Sequence, residues 1–227
     1  MMDDKIDYSL VQELSEEYKR RSSHHTLREV IKALCGHDVI PFDENNKDDL
    51  ELLEDLKQAA QCAVDEIQKK KILEKRANEV GNRIEKFVQD ALKLLGYDAH
   101  VPTTSSGKNK SVGYPDIVFY DKAHRLTYVE CKTYNHANID TTQRSFYLSP
   151  SSDFKVTGDA HHFVVSLEIV ELSRDTNTGQ NVYTASGWKI LDIADLPLDL
   201  KIEFNSDNRR LYGGEQKLIL AEHSTQK

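Results

Sequence analysis

The residues best placed to do chemistry are two acids and a lysine. Asp116 follows Pro115 at the head of the apolar run Ile117-Val118-Phe119-Tyr120, and Glu130-Cys131-Lys132 lies fourteen positions on, within the run Leu126 to Thr133. Both runs are rich in β-branched and aromatic residues, and the polar stretch Asp121 to Arg125 between them predicts a hairpin loop. With Tyr120 and Leu126 as the partners flanking that loop, paired residue numbers sum to 246. Val118 then faces Tyr128, and Asp116 faces Glu130. Side chains alternate along a strand, so Lys132 shares the face of Glu130, one step further on.

Two carboxylates directly across a ladder stand about 5 Å apart at their β-carbons and repel each other. A divalent cation between them removes the repulsion, and Mg2+ takes one or two carboxylates together with water and substrate phosphate. Lys132 adds a compact positive charge beside the same spot. Spacing alone leaves a second reading open, in which the acids close a solvated strand end and Lys132 neutralises them.

Pro115-Asp116, the hydrophobic strand after it and Glu130-x-Lys132 on the next strand resemble the PD-(D/E)XK nuclease superfamily, whose best-known members are type II restriction endonucleases. The resemblance covers about residues 80–170. It implies that Asp116 and Glu130 hold Mg2+, with Mn2+ as a substitute, and that the backbone carbonyl of Cys131 completes the ligand set. Lys132 would then orient or activate the attacking water, and the products would carry 5′-phosphate ends. Members of the family often carry a glutamate on the helix before the Asp strand, and Glu85 matches by position. Apart from the resemblance, Glu85 also reads as a rim acid paired with Arg83 or Lys86.

Composition limits the alternatives. The 227 residues suit one domain with a helical appendage. No apolar run approaches the roughly 20 residues of a membrane span, and the N-terminus shows no signal-peptide pattern. Cys35, Cys62 and Cys131 lack metal-ligand spacing, which favours free thiols in a reducing cytoplasm. The net charge of −8 argues against tight DNA binding without a metal. Residues 80–165, however, carry ten Lys and Arg against nine Asp and Glu, and local charge governs phosphate approach.

The remaining chain must position this hairpin. Residues 7–35 read as helical, with Gly36 as a stop. Asp48-Asp49 open a long helix whose stripe Leu53, Leu56, Ala60, Ala63, Val64 and Ile67 suits either a dimer seam or packing on the core. Val80 to Leu95 forms a broad apolar face ended by Gly96. Tyr97 to Val101 reads as the first core strand. The small, polar and basic loop 103–113 carries Lys108, Asn109 and Lys110, which would touch a phosphodiester backbone or belong to a disordered surface loop. Asp140 to Leu148 reads as a short helix offering Gln143 and Arg144, and with Lys155 these are candidate DNA contacts. His161 to Leu172 and Asn181 to Ile190 are strong strand patterns, with Trp188 expected in the core.

The expected architecture is an α/β fold with a restriction-endonuclease-like central mixed sheet flanked by helices. A mainly helical region, 1–79, precedes a nuclease core, 80–227. The expected function is a Mg2+-dependent endonuclease acting on double-stranded DNA as a cytoplasmic homodimer, most simply a type II restriction enzyme. Repair or junction-resolving nucleases share the motif, and a catalytically silent nucleic-acid-binding module would keep the fold.

Overall fold

A computed structural model describes residues 9–21, 25–141, 145–176, 178–201, 205–207 and 210. In chain order the elements are α1 (Ser9–Arg21), β1 (His25–Thr26), α2 (Leu27–Cys35), β2 (Val39–Ile40), α3 (Lys47–Lys70), β3 (Ile72–Glu74), α4 (Ala77–Leu94), β4 (Ile117–Tyr120), β5 (Leu126–Tyr134), β6 (Ala160–Arg174), β7 (Asn181–Asp192) and β8 (Pro197–Leu198). The chain forms two compact units. One comprises Met1–His24 with Asp199–Lys227, and among the described residues its regular element is α1. The other, His25–Leu198, holds all the remaining elements.

A six-stranded mixed sheet organises the larger unit. Its order is β3-β7-β6-β5-β4, with β2 pairing the start of β6. β5 and β2 run parallel to β6, and the other neighbours are antiparallel. The β4–β5 hairpin has the expected register, with Tyr120 opposite Leu126 and Val118 opposite Tyr128. Asp121 sets its turn by accepting from the Arg125 N–H and side chain, each at 2.8 Å.

Helices cover one face of the sheet. Asn46 caps α3 by accepting from the N–H groups of Asp48 and Asp49. Its Leu56, Ala59, Ala60, Ala63, Val64 and Ile67 are buried against α4 and the inward residues Val129, Phe163, Val165 and Leu167. The α3 stripe is therefore core packing and not a dimer seam. Val80, Ile84, Val88 and Leu92 of α4 enter the same cluster, and Gly96 turns the chain away at a φ of 94°. Trp188 is only partly buried at the edge of this cluster, because its indole N–H reaches out to Gln61. On the opposite face α2, capped by Thr26 and Glu29 in a reciprocal box, packs Leu27 and Ile31 with Val118, Tyr128 and Val164.

Two further expectations need correction. The stretch Tyr97–Val101 contributes a single bridge, His100 to Val118, instead of a strand, since Tyr97 and Ala99 turn into the core. Of Asp140–Leu148, the described residues 140–141 and 145–148 are turn and irregular chain, and a short 3-10 turn at His136–Asn138 comes before them. The loop 103–113 is tied back by hydrogen bonds: Asp153 accepts from the Ser106 N–H and from both the Ser105 and Ser106 hydroxyls, and Thr103 bridges to Asn109.

Candidate active site

The hairpin opens where β4 begins. Pro115 has no N–H to continue the ladder, and the last β4 residue paired to β5 is Ile117, opposite Val129. The next outward-facing N–H on β5, that of Cys131, is taken by a side chain: it donates to Asp116 Oδ2 at 2.8 Å. Asp116 is thereby fixed beside Glu130, which is 6% exposed. Lys132 Nζ donates to Glu130 Oε1 at 2.6 Å, whereas Glu130 Oε2 is buried with no donor. The face shared by Glu130 and Lys132 is the one the alternation rule requires. Cys131 points its thiol into the opposite core, while its N–H and carbonyl both lie on the strand edge that Asp116 occupies.

Charge is under-compensated here. Burial, reinforced by the charge of Asp116, pushes the Glu130 carboxyl up to about 7. Asp116 is also raised, by burial, despite the Cys131 N–H and Lys132 acting the other way. Burial alone would lower Lys132, but the charge and hydrogen bond of Glu130 more than offset it, so the ammonium stays protonated at neutral pH.

Glu85 belongs to this cluster. α4 presents it to the same cleft, where burial first and the charge of Asp116 second push its carboxyl up to about 7. The basic neighbours it was expected to pair with are engaged elsewhere, Arg83 with Glu74 and Lys86 with Asp90. The cleft has a volume of about 1220 Å3 and also admits Lys110, Lys155 and Tyr147.

The donor set suits a hard divalent cation. Among the described residues no three His, Cys, Asp or Glu side chains converge as a metal cluster, which leaves oxygen donors from Asp116 and Glu130. A buried and a partly buried carboxylate with an acceptor oxygen to spare match a Mg2+ site that keeps several waters, and they do not match a closed zinc site.

A profile of the family "Type II restriction enzyme MjaV" matches residues 20–215. The chain is also 39% identical, over 236 aligned positions covering 97% of it and 98% of the relative, to the type II restriction enzyme MjaV of Methanocaldococcus jannaschii. The chain belongs to the type II restriction enzyme MjaV family.

Around the centre of this MjaV-family chain, the expected DNA contacts separate by environment. Lys108, Asn109 and Lys110 are exposed on the tethered loop, and Lys110 lines the cleft. Gln143 and Arg144 lie outside the described residues. Lys155 is not an outward-facing cation. It is 4% exposed and donates to the carbonyls of Gly113 at 2.6 Å and Pro115 at 3.1 Å, which fixes the segment leading into Asp116. Its charge also lies close to Asp116, Glu130 and Glu85, although burial, the dominant influence, lowers its pKa.

Sequence reading missed the aromatic support of Lys132. Its Nζ lies 5.8 Å from the ring centre of Phe146 and 5.9 Å from that of Tyr147. Tyr114 stacks edge-on against Phe146 and hydrogen-bonds the buried His162, linking this support to the sheet. Nothing in the local pattern of Phe146-Tyr147 marks it, because the link to Lys132 is made in space.

Among the described residues no helix is long and apolar enough to cross a membrane.

Proposed function

We propose that the protein is a Mg2+-dependent endonuclease of the PD-(D/E)XK type that cuts double-stranded DNA, with Asp116, Glu130, Lys132 and Glu85 as its catalytic group. One observation carries the reading: an under-compensated pair of acids at the open end of a hairpin, Glu130 buried and Asp116 partly so, with an ammonium 2.6 Å from Glu130. The Methanocaldococcus jannaschii relative is a type II restriction enzyme, which favours sequence-specific cutting over repair or junction resolution.

Asp116 and Glu130 would hold the cation, with the Cys131 carbonyl on the same strand edge as a third oxygen. Such a cation, when bound, supplies charge neutralisation at the attacked phosphorus and makes water more acidic. The chain's own groups do the positioning. Lys132, kept protonated by its acids, orients the attacking water and offers positive charge to the phosphate oxygens. Glu85, half-buried and titrating near neutrality on the wall of the same cleft, would receive a proton from water beside the pair. Lys155 holds the chain before Asp116 and so sets where that carboxylate points. The expected products carry 5′-phosphate ends. Cutting both strands with one such centre per chain calls for two copies, so the active form would be a homodimer.

Digestion of a sequenced plasmid by the purified protein tests the reading. With Mg2+ or Mn2+ it should give discrete fragments sharing one sequence at their ends, and EDTA should stop the reaction. A smear would move the assignment to a nonspecific nuclease. Intact plasmid with both metals would overturn it.

A further inference from the structure

Lys132 has a counterpart on its own row of the sheet. It pairs with Ser166 of β6, and Ser166 pairs with Lys189 of β7, so the three side chains lie next to one another on the face that bears Glu130. Ser166 is small and buried, which leaves a low floor between the two lysines. Lys189 is exposed and lines the same cleft. Its Nζ stands 4.7 Å over the ring of Tyr134, two residues beyond Lys132 on β5 and on the same face.

The charges of the cleft lysines are committed differently. Lys132 is held by Glu130 and Lys155 by two backbone carbonyls. Among the described residues Lys189 has an aromatic face beneath it and no carboxylate in ion-pair contact. The next row, Tyr134, Glu168 and Gly187, brings in a carboxylate and closes the positive strip. A lysine that rests on a ring, lines the cleft and has no carboxylate in ion-pair contact among the described residues is suited to a phosphate oxygen. The competing reading is an edge guard: β3 covers β7 only as far as Tyr183, and lysines on free edges discourage strand pairing.

We propose that Lys189, supported on Tyr134, is a DNA-backbone contact for the strand being cut. Neighbouring strands are about 4.8 Å apart, so the row from Lys132 to Lys189 spans about 10 Å. Phosphates along one strand wind around the duplex and so stand further apart than the axial rise, which puts the phosphate held within about two nucleotides of the bond that is broken. The inference rests on the nuclease reading.

The test measures binding of a fluorescein-labelled mixed-sequence duplex of about 30 base pairs, with Mg2+ present, across a salt series. The Lys132→Ala background removes turnover, and Lys189→Ala and Lys189→Arg are added to it. Loss of one phosphate contact should reduce the slope of log K against log salt by about 0.9 and weaken binding about eightfold at 0.1 M salt, with arginine restoring both. An unchanged slope and affinity in Lys189→Ala would overturn the proposal. So would aggregation without a change of slope, which is the behaviour of an edge guard. If the wild-type protein cuts plasmid, either of these results rejects the Lys189 contact alone. If wild type neither cuts nor binds, the nuclease reading itself fails.

Discussion

The two ends of the β4–β5 hairpin carry buried acids in opposite states of compensation. At the turn end, Asp49, Asp55 and Asp121 are almost fully buried, and every one meets a strong donor. Arg125 binds both Asp49 and Asp121, the Asp43 N–H also donates to Asp49, and Lys122 and the Tyr97 hydroxyl bind Asp55. Here the surplus is on the donor side: Arg125 Nη2 is buried without an acceptor. At the open end the surplus is reversed, with Glu130 Oε2 lacking any donor beside a second carboxylate. Buried charge that is fully matched fixes the fold, tying α3 to the turn. Buried charge left short of a partner marks the place where a ligand completes the structure.

The sharpest way to break this contrast is substitution at the open end. Lys132→Ala and Asp116→Ala should each reduce plasmid cleavage by about 10³-fold or more, while the far-ultraviolet circular dichroism stays that of wild type. Wild-type rates in either variant would remove the catalytic assignment. At the turn end the result should invert. Asp49→Ala leaves Arg125 without its main partner and should cost about 3 kcal/mol, lowering Tm by about 6–12 °C. Its cleavage rate per folded molecule should remain within about threefold of wild type at a temperature well below that Tm.

Metal removal separates the ends through pH. In the folded protein Glu130 titrates near 7, above the usual value near 4.5. The folded state therefore binds a proton more tightly than the unfolded chain does. That contribution is complete below about pH 4.5 and is lost as pH rises through 7. In EDTA, wild type should lose about 1–3 kcal/mol between pH 5 and 8, read from thermal melts, and Glu130→Gln should lose less. Mg2+ should restore stability at pH 8 in wild type only, since the variant lacks the second carboxylate. The smallest expected effect is that of Asp116→Asn. It keeps an oxygen for the Cys131 N–H and relieves the repulsion, raising the EDTA melting point by the equivalent of about 1 kcal/mol or less. A clear fall would show that the pair is not repulsive when metal-free.

What could be read in the sequence follows from what is local. Two β-rich runs around a five-residue polar loop allow one simple register, and Tyr120 does face Leu126. The same argument placed Glu130 and Lys132 on one face, and the period of Val80, Ile84, Val88 and Leu92 located α4 with Glu85 at its margin. Nonlocal pairing left no comparable trace. β2 is two residues long and gains its place only by lying beside β6. Lys155 sits in a polar stretch that reads as surface, yet two carbonyls draw it inward. Asp153 organises a loop nearly fifty residues away in sequence, and no pattern within 103–113 reports that. The stripe on α3 fitted a partner helix as well as a sheet until its contacts with β6, β7 and α4 decided between them.

The central property of the hairpin's open end is whether the Asp116 and Glu130 carboxylates share a cation. Electron paramagnetic resonance of Mn2+ titrated with protein reads this without DNA or turnover, because the free-ion signal falls as sites fill. Wild type should deplete the signal, added Mg2+ should return it, and the Asp116→Asn, Glu130→Gln double variant should leave it as in buffer. Equal depletion by wild type and double variant would place the ion elsewhere and contradict the assignment of the hairpin's open end as the catalytic centre.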